Sequence, residues 1–174
     1  MAIGGQAGLR WRYNGGMPYL IDGHNVIGQI PNISLDDPDD EAKLTALVRR
    51  FCAREKRKAS LIFDGGLPGG VSKLSNADVT VIFASDRHTT GDDLILNRIR
   101  DEKNPAGLIV VSSDQKIVNA ARQRRMVVTS AREFGQQLLK TGQASGTMSE
   151  KEKGLSKEEL AEWEAVFEKR SGER

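Results

Sequence analysis

Short apolar runs alternate with longer stretches of helical periodicity from Pro18 onward. Five runs are candidate β-strands, namely Tyr19 to Ile21, Ser60 to Phe63, Val79 to Phe83, Leu108 to Val111 and Met126 to Val128. The central runs are apolar throughout, which is typical of strands covered by helices on both faces. Strands that alternate with helices predict βαβ units, so we expect an α/β fold with a parallel sheet of about five strands.

Apolar residues spaced three and four apart predict the helices between these strands. They run from about Asp39 to Lys56, from Asp92 to before Asn104, from Gln115 to Arg124 and from Ala131 to Lys140. In the first helix, Leu44, Leu47, Val48, Phe51 and Cys52 share one face. Acidic residues lie at its start and basic residues at its end, an order that suits the helix dipole.

The two ends of the chain lie outside this pattern. Residues 1–16 are rich in glycine and show no periodicity, so we interpret them as a flexible leader, either native or left by expression. Residues 17–140 form the predicted domain. Residues 141–174 begin as a polar linker and continue as an amphipathic helix, with Leu160, Trp163, Val166 and Phe167 on one face. We expect this helix to pack on the domain, since an exposed apolar stripe would instead be a partner site.

Composition narrows the possible chemistry. A single cysteine excludes an internal disulfide and, with only two histidines, leaves too few soft ligands for a structural zinc site. No apolar run is long enough to cross a membrane, and we expect a cytoplasmic protein with no membrane partner. The net charge of +2 is mild, but basic residues cluster between 49 and 58 and between 122 and 125. Each cluster is either a solvated helix face or a surface for a polyanion.

Aspartates follow three of the predicted strands. Asp22, Asp64 and Asp114 all come after an apolar run, so in a parallel sheet they lie at the same edge, where ligands bind in such folds. Asp92 opens the second helix on the face that leans toward the sheet, whereas Asp93 shares a face with solvent-side residues. Any one of these aspartates by itself is readily explained as a turn former or helix cap. Gathered together they would repel one another, so they predict a divalent cation.

Oxygen ligands favour Mg²⁺ or Mn²⁺, and such an ion at an acidic edge is suited to phosphodiester hydrolysis. Asn25 either binds a phosphate or metal-bound water or stabilises the turn after Gly23. Ser112 and Ser113 either cap the next helix or hydrogen-bond a metal ligand. We interpret His24 as a local turn residue or a support for the ligands rather than as a general base. The phosphate-binding loops of nucleotide-binding proteins are missing from the sequence.

Four segments carry a family resemblance. In this order and spacing, YLIDGHNVIG, LIFDGG, TTGDDLILNRI and LIVVSSDQKIVNAAR resemble the YacP-like NYN domains, relatives of PIN-domain ribonucleases, over about Met17 to Leu139. The resemblance implies a PIN-like three-layer α/β/α sandwich and a metal-dependent endoribonuclease. Its catalytic positions correspond to Asp22, Asn25, Asp92 and Asp114, and its metal ligands to Asp22, Asp64, Asp92 and Asp114.

The same resemblance implies an RNA substrate, which we expect to be single-stranded, and suggests the ribosome as a further partner. We expect Lys73, Arg87, Lys116 and Ser113 to contact substrate, because few aromatic residues are present for base stacking. The main alternative is a non-catalytic adaptor with the same fold that binds RNA or the ribosome. A pure binder of polyanions, however, gains nothing from carboxylates placed where a phosphate must sit. A small-molecule phosphohydrolase is a third reading, less suited to the open glycine-rich loop after Asp64.

Overall fold

All five predicted strands and the four predicted helices up to residue 143 are present in the structure, a computed structural model that describes residues 16–65, 72–84 and 89–143. The elements are β1 (Tyr19–Asp22), α1 (Gly23–Ile27), α2 (Asp40–Glu55), β2 (Ala59–Asp64), β3 (Val79–Ala84), α3 (Gly91–Asp101), a 3-10 turn (Pro105–Gly107), β4 (Ile109–Val111), α4 (Gln115–Gln123), β5 (Val127–Thr129) and α5 (Ala131–Gln143). The sequence pattern did not predict the 3-10 turn or α1, which is too short to show periodicity.

The strands form one parallel sheet in the order β3-β2-β1-β4-β5. The chain builds outward from β1 through β2 to β3, and then returns to add β4 and β5 on the other side of β1. The strand order therefore reverses at β1, whose Tyr19 is aligned with Ala59 of β2 and Ile109 of β4. We call the edge formed by the carboxyl ends of the strands the carboxyl edge and the opposite one the amino edge. Sites in such folds lie at the carboxyl edge, beside the reversal.

Helices cover both faces of the sheet, which confirms the predicted three-layer α/β/α fold. Alternate strand residues such as Ile21 and Phe63 pack against α1, α2 and α5, where Tyr19, Phe51 and Phe134 form an aromatic cluster with ring centroids 5.3–5.6 Å apart. The residues between them, such as Leu20 and Ile62, pack against α3 and α4. Because a strand alternates its side chains, the parity of each strand-end residue decides which helices it meets.

Three predicted features fall outside the described residues. They are the leader at residues 1–15, the linker and helix after residue 143, and the position of Arg87. Among the helices that the structure does describe, none is both long and apolar enough to span a membrane.

Candidate active site at the carboxyl edge

Asp22 ends β1 on the face that meets α3 and α4. The buried Ser112, just beyond β4, donates its hydroxyl hydrogen to Asp22 Oδ2 at 2.8 Å, and the Asn25 backbone N–H donates to Oδ1 at 3.4 Å. Burial raises the pKa of the Asp22 carboxyl. The hydrogen bonds from Ser112 and Asn25 oppose that rise, and the charges of Asp92 and Asp64 add to it. Asp22 is therefore a carboxylate held in place by donors but repelled by its neighbours.

Asp114 lies beside Asp22 because Ser112 joins them. The same Ser112 hydroxyl accepts the backbone N–H of Asp114 at 3.0 Å. Asp114 is the N-cap of α4, and its Oδ1 accepts the N–H groups of Lys116 at 2.8 Å and Ile117 at 3.3 Å. Its Oδ2 has no hydrogen-bond partner among the described residues. One oxygen thus fixes the side chain while the other remains open to a ligand.

Asp64 ends β2 and reaches the start of α3. Its Oδ1 accepts the backbone N–H of Gly91 at 2.5 Å. A Cβ atom on residue 91 would lie 3.0 Å from that same oxygen, so glycine permits the close approach. This bond brings the first turn of α3 to the carboxyl edge, and Asp92 with it.

Adjacent aspartates on α3 have different surroundings. Burial raises the pKa of the partly buried Asp92, and the charges of Asp114 and Asp64 raise it further. Asp93 is exposed and completes a capping box with Thr90, in which the Thr90 N–H donates to Asp93 Oδ2 and the Asp93 N–H donates to Thr90 Oγ1, each at 3.1 Å. The structure therefore brings Asp92 to the other carboxylates and engages Asp93 in the helix cap.

Asn25 and Ser113 connect the ends of β1, β4 and α5. The Ser113 backbone N–H donates to Asn25 Oδ1 at 2.9 Å, and Ser113 Oγ accepts the N–H of Ala131 at 3.1 Å. The Asn25 side chain therefore fixes the loop that carries Asp114. Its Nδ2 has no hydrogen-bond partner among the described residues and is available to a ligand.

His24 and Glu41 form a contact that the sequence did not reveal. His24 Nδ1 accepts the backbone N–H of Asp64 at 3.3 Å, and His24 Nε2 lies 3.5 Å from Glu41 Oε1. The bond to Glu41 raises the pKa of His24, whereas burial lowers it. Glu41 is an acid in the first turn of α2, which is the usual place for one on a helix. Only the packing of α1 against α2 gives it a partner.

The predicted substrate contacts lie in different places. Lys116 is exposed on the first turn of α4, and its charge lowers the pKa of Asp92. Lys73 is also exposed, but the neighbouring Ser72 N–H donates to Val81 O at 2.8 Å. Lys73 therefore lies beside the middle of the outer strand β3, two strands away from Asp22.

The donor set fits a hydrated magnesium or manganese ion better than one held directly by protein. Within the described residues, no three Asp, Glu, His or Cys side chains come close enough together to hold a metal ion. The four carboxylates nevertheless lie near enough to one another that their charges add to the rise in pKa that burial causes at Asp22 and Asp92. Mg²⁺ usually keeps several of its waters and binds through only one or two carboxylates. Cation binding through waters would relieve this repulsion without moving the backbone.

Comparisons with known proteins agree with this fold. The profile of the YacP-like NYN domain matches residues 19–169. A crystal structure of Rae1 (YacP) from Bacillus subtilis is similar with a TM-score of 0.61 and 22% identity, covering 88% of this chain and 84% of that one. A crystal structure of a mutant of the same Bacillus subtilis protein gives a TM-score of 0.58 and 20% identity over 74% and 78%. No curated protein matches the sequence.

At such low identity the two crystal structures show a shared fold alone. The domain profile, in contrast, spans most of the chain and includes every strand and helix described above. This chain therefore belongs to the YacP-like NYN domain family, whose members have a PIN-like nuclease fold.

Proposed function

We propose that this protein is a metal-dependent endoribonuclease that hydrolyses RNA phosphodiester bonds at the carboxyl edge. The expected compartment is the cytoplasm, the expected substrate is single-stranded RNA, and the family resemblance suggests messenger RNA on the ribosome. One observation carries the proposal. Carboxylates from four separate segments lie near one another beside the strand reversal, and burial first and then their mutual charges raise the pKa values of Asp22 and Asp92. A fold gains no stability from such repulsion, so the arrangement indicates a cation site.

The chain's own residues then have distinct tasks. Ser112 holds Asp22 by its hydroxyl hydrogen and holds Asp114 by accepting its backbone N–H, so the two carboxylates stay in register. Asn25 fixes the backbone of Ser113 and offers its Nδ2 hydrogens to a phosphate oxygen or a water. Lys116 provides a positive charge beside Asp92 that attracts the phosphate backbone. A bound divalent ion supplies a more acidic water and neutralises charge on the leaving oxygen.

The test measures cleavage of an end-labelled single-stranded RNA with Mg²⁺, with Mn²⁺ and with EDTA. Asp92→Asn should lower the rate on the order of 100-fold, as expected when a metal site loses a carboxylate. Asp93→Asn is the matched control, since it is the same change one residue along the same helix. It should keep the rate within about fivefold of wild type and lower Tm by a few degrees through the weakened cap.

A double variant tests the two carboxylates at the carboxyl ends of β1 and β4. Asp22→Asn combined with Asp114→Asn should abolish metal-dependent cleavage while circular dichroism shows an intact fold. Equal loss of activity in Asp92→Asn and Asp93→Asn would contradict the assignment of Asp92. A wild-type protein that binds RNA but never cuts it, with ribosomes added as well, would support the adaptor instead.

A further inference from the structure

Charge is separated between the two edges of the sheet. Each α-helix that follows a strand begins at the carboxyl edge and ends at the amino edge, as parallel βα units require. The amino edge therefore collects the basic ends of α2, α3 and α4. The basic residues there are Arg54, Lys56, Arg57, Lys58, Arg98, Arg100, Lys103, Arg122, Arg124 and Arg125.

Part of this basic set is explained by structure alone. Arg124 donates to the Ile99 carbonyl at 2.7 Å and to the Glu102 carbonyl at 2.8 Å, and so closes the end of α3. Arg57 donates to the Met17 carbonyl at 3.0 Å, and Lys58 donates to the Ala77 carbonyl at 2.6 Å. These side chains already have partners, and they need no external ligand.

Other cations at the amino edge have no such role. Lys56, Lys103, Arg122 and Arg125 are all exposed, and none has a carboxylate within 4.0 Å among the described residues. Nearby Glu102 and Asp101 pair instead with Arg98 and Arg100. The amino edge thus keeps positive charge in contact with solvent.

Two of these cations occupy backbone positions that favour glycine. Lys56 follows α2 with φ 50°, and Arg125 lies just after α4 with φ 58°; they are the only non-glycine residues with positive φ in the described part of the chain. In both places the next N–H reaches back into the helix, from Arg57 to the Cys52 carbonyl at 2.9 Å and from Met126 to the Ala121 carbonyl at 3.0 Å. Glycine is the usual residue at this helix end, because a side chain is strained in the left-handed conformation. A cation nevertheless stands at each position.

We propose that the amino edge is a second nucleic-acid surface, which binds the phosphate backbone of double-helical RNA through Lys56, Lys103, Arg122 and Arg125. Lys56 lies near β2 and Arg125 near β5, which are three strand spacings or ~14 Å apart. The contacts therefore extend along the RNA backbone rather than around a single phosphate. The inference goes beyond the proposed cleavage site, which lies at the other edge. The surface suits a large folded RNA that holds the protein in place.

Surface chemistry favours duplex RNA over the other polyanions. Within the described residues the exposed large apolar side chains are Leu35 and Val127, and only Val127 is near the amino edge. The buried centre of a protein interface is usually rich in apolar and aromatic side chains, and one exposed valine does not form such a centre. Aromatic side chains that stack on bases often strengthen the binding of single-stranded RNA, and none is exposed at the amino edge among the described residues, whereas duplex RNA is recognised through phosphates and shape.

The experiment measures fluorescence anisotropy of a labelled RNA hairpin with about 20 base pairs. It is done in EDTA so that no cleavage occurs, over a range of KCl concentrations. The double variant Lys56→Gly and Arg125→Gly removes two charges. It also relieves the backbone strain of a side chain at positive φ, so its Tm should not be lower than that of wild type. Its affinity should fall at least about tenfold, and the slope of log K against log salt should become about two units shallower.

Independent variants and controls complete the test. Lys103→Gln with Arg122→Gln should have the same effect on affinity and slope, whereas Arg50→Gln, an exposed change in the middle of α2, should alter neither. Cleavage of a short single-stranded RNA by both double variants should match wild type, which separates this surface from the nuclease site. Unchanged hairpin affinity and slope in both double variants would overturn the proposal. Binding of polyglutamate as tight as binding of the hairpin would also overturn it, in favour of an acidic protein partner.

Discussion

At the scale of one residue, the Asp22 carboxylate lowers the stability of the fold at neutral pH. Ser112 and Asn25 donate to its two oxygens, yet burial and the charges of Asp92 and Asp64 still leave its pKa raised. A carboxyl that holds its proton more tightly in the folded than in the unfolded chain stabilises the fold only at low pH. That contribution is lost as pH rises above the usual pKa of about 3.8 and through the folded pKa.

Asp22→Asn should therefore stabilise the metal-free protein at neutral pH. Asparagine cannot ionise, so we expect the free energy of unfolding to rise by about 0.5–1 kcal/mol at pH 7. The gain should shrink toward zero as pH falls to the range where Asp22 is protonated in wild type. Urea denaturation in EDTA from pH 4 to pH 7 measures this difference. Asp36→Asn, an exposed change in the turn before α2, should show no such trend.

The pKa of His24 is raised as well, so its contribution to stability changes with pH in the same direction as that of Asp22 but in a higher pH range. Its pKa is raised mainly by the bond to Glu41, so the stabilisation from this pair is present below the usual pKa of 6.5 and is lost as pH rises through the folded pKa. Glu41→Gln should lower the pKa of His24. In this variant the pH-dependent decrease in the free energy of unfolding should be roughly 0.5 kcal/mol at pH values below 6.5. It should vanish at pH values above the folded pKa of His24. Titration of the His24 ring by NMR checks the shift, and a pKa equal to that of wild type would show that the pair makes no contribution.

The turn from β1 into α1 requires a glycine at residue 23. The chain leaves β1 at Asp22 and turns at once into α1, passing directly over β2. A Cβ atom on Gly23 would lie 2.3 Å from Cε1 of Phe63 and 2.9 Å from the Ile62 carbonyl oxygen. Phe63 is fully buried and cannot move without disturbing the core. Glycine at this position lets the turn bring Asp22 and Asn25 to the carboxyl edge.

Gly23→Ala should consequently destabilise the protein by about 1–3 kcal/mol, the usual range for overpacking a core. Gly28→Ala, at the other end of the same short helix, is the matched control. Its φ of −60° suits alanine, and its added Cβ would approach no atom closer than 3.7 Å. We expect that control to be neutral or stabilising by up to about 1 kcal/mol. Urea denaturation of both variants makes the comparison, and equal effects would show that Phe63 yields easily.

The two cores of the whole molecule lie between Tyr19 and Leu138 in the described part of the chain. The described residues up to Gly142 also form one compact unit. A protein that ends at residue 143 should therefore unfold in a single cooperative transition. Its Tm should lie within about 4 °C of the full chain, which corresponds to about 1 kcal/mol for a domain of this size. A broad transition, or aggregation on purification, would show that the later segment contributes to the core.

Tertiary structure decided which polar residues act together. The chain positions of Asp22, Asp64, Asp92 and Asp114 predicted that they lie at one edge of the sheet, but not that one hydroxyl, Ser112, would hold two of them. Contacts between residues 90 positions apart leave no periodic trace in a sequence. The same holds for Glu41, which the sequence presents as an ordinary helix-start acid and the fold places against His24. Lys73 is the opposite case, because the sequence predicted that it contacts substrate at the carboxyl edge. In the fold its segment turns back along β3 and away from that edge.

What the sequence determined by itself is local or periodic. Apolar runs and helical spacing specify the strands, helices and layers, because burial of apolar faces follows the repeat of each element. Strand-end aspartates also specify their edge, since all strands of a parallel sheet end on the same side. The hydrogen bonds that aim each carboxylate, the strain at Lys56 and Arg125 and the separation of charge between the edges depend on backbone directions and long-range packing. Only the tertiary structure decided those features.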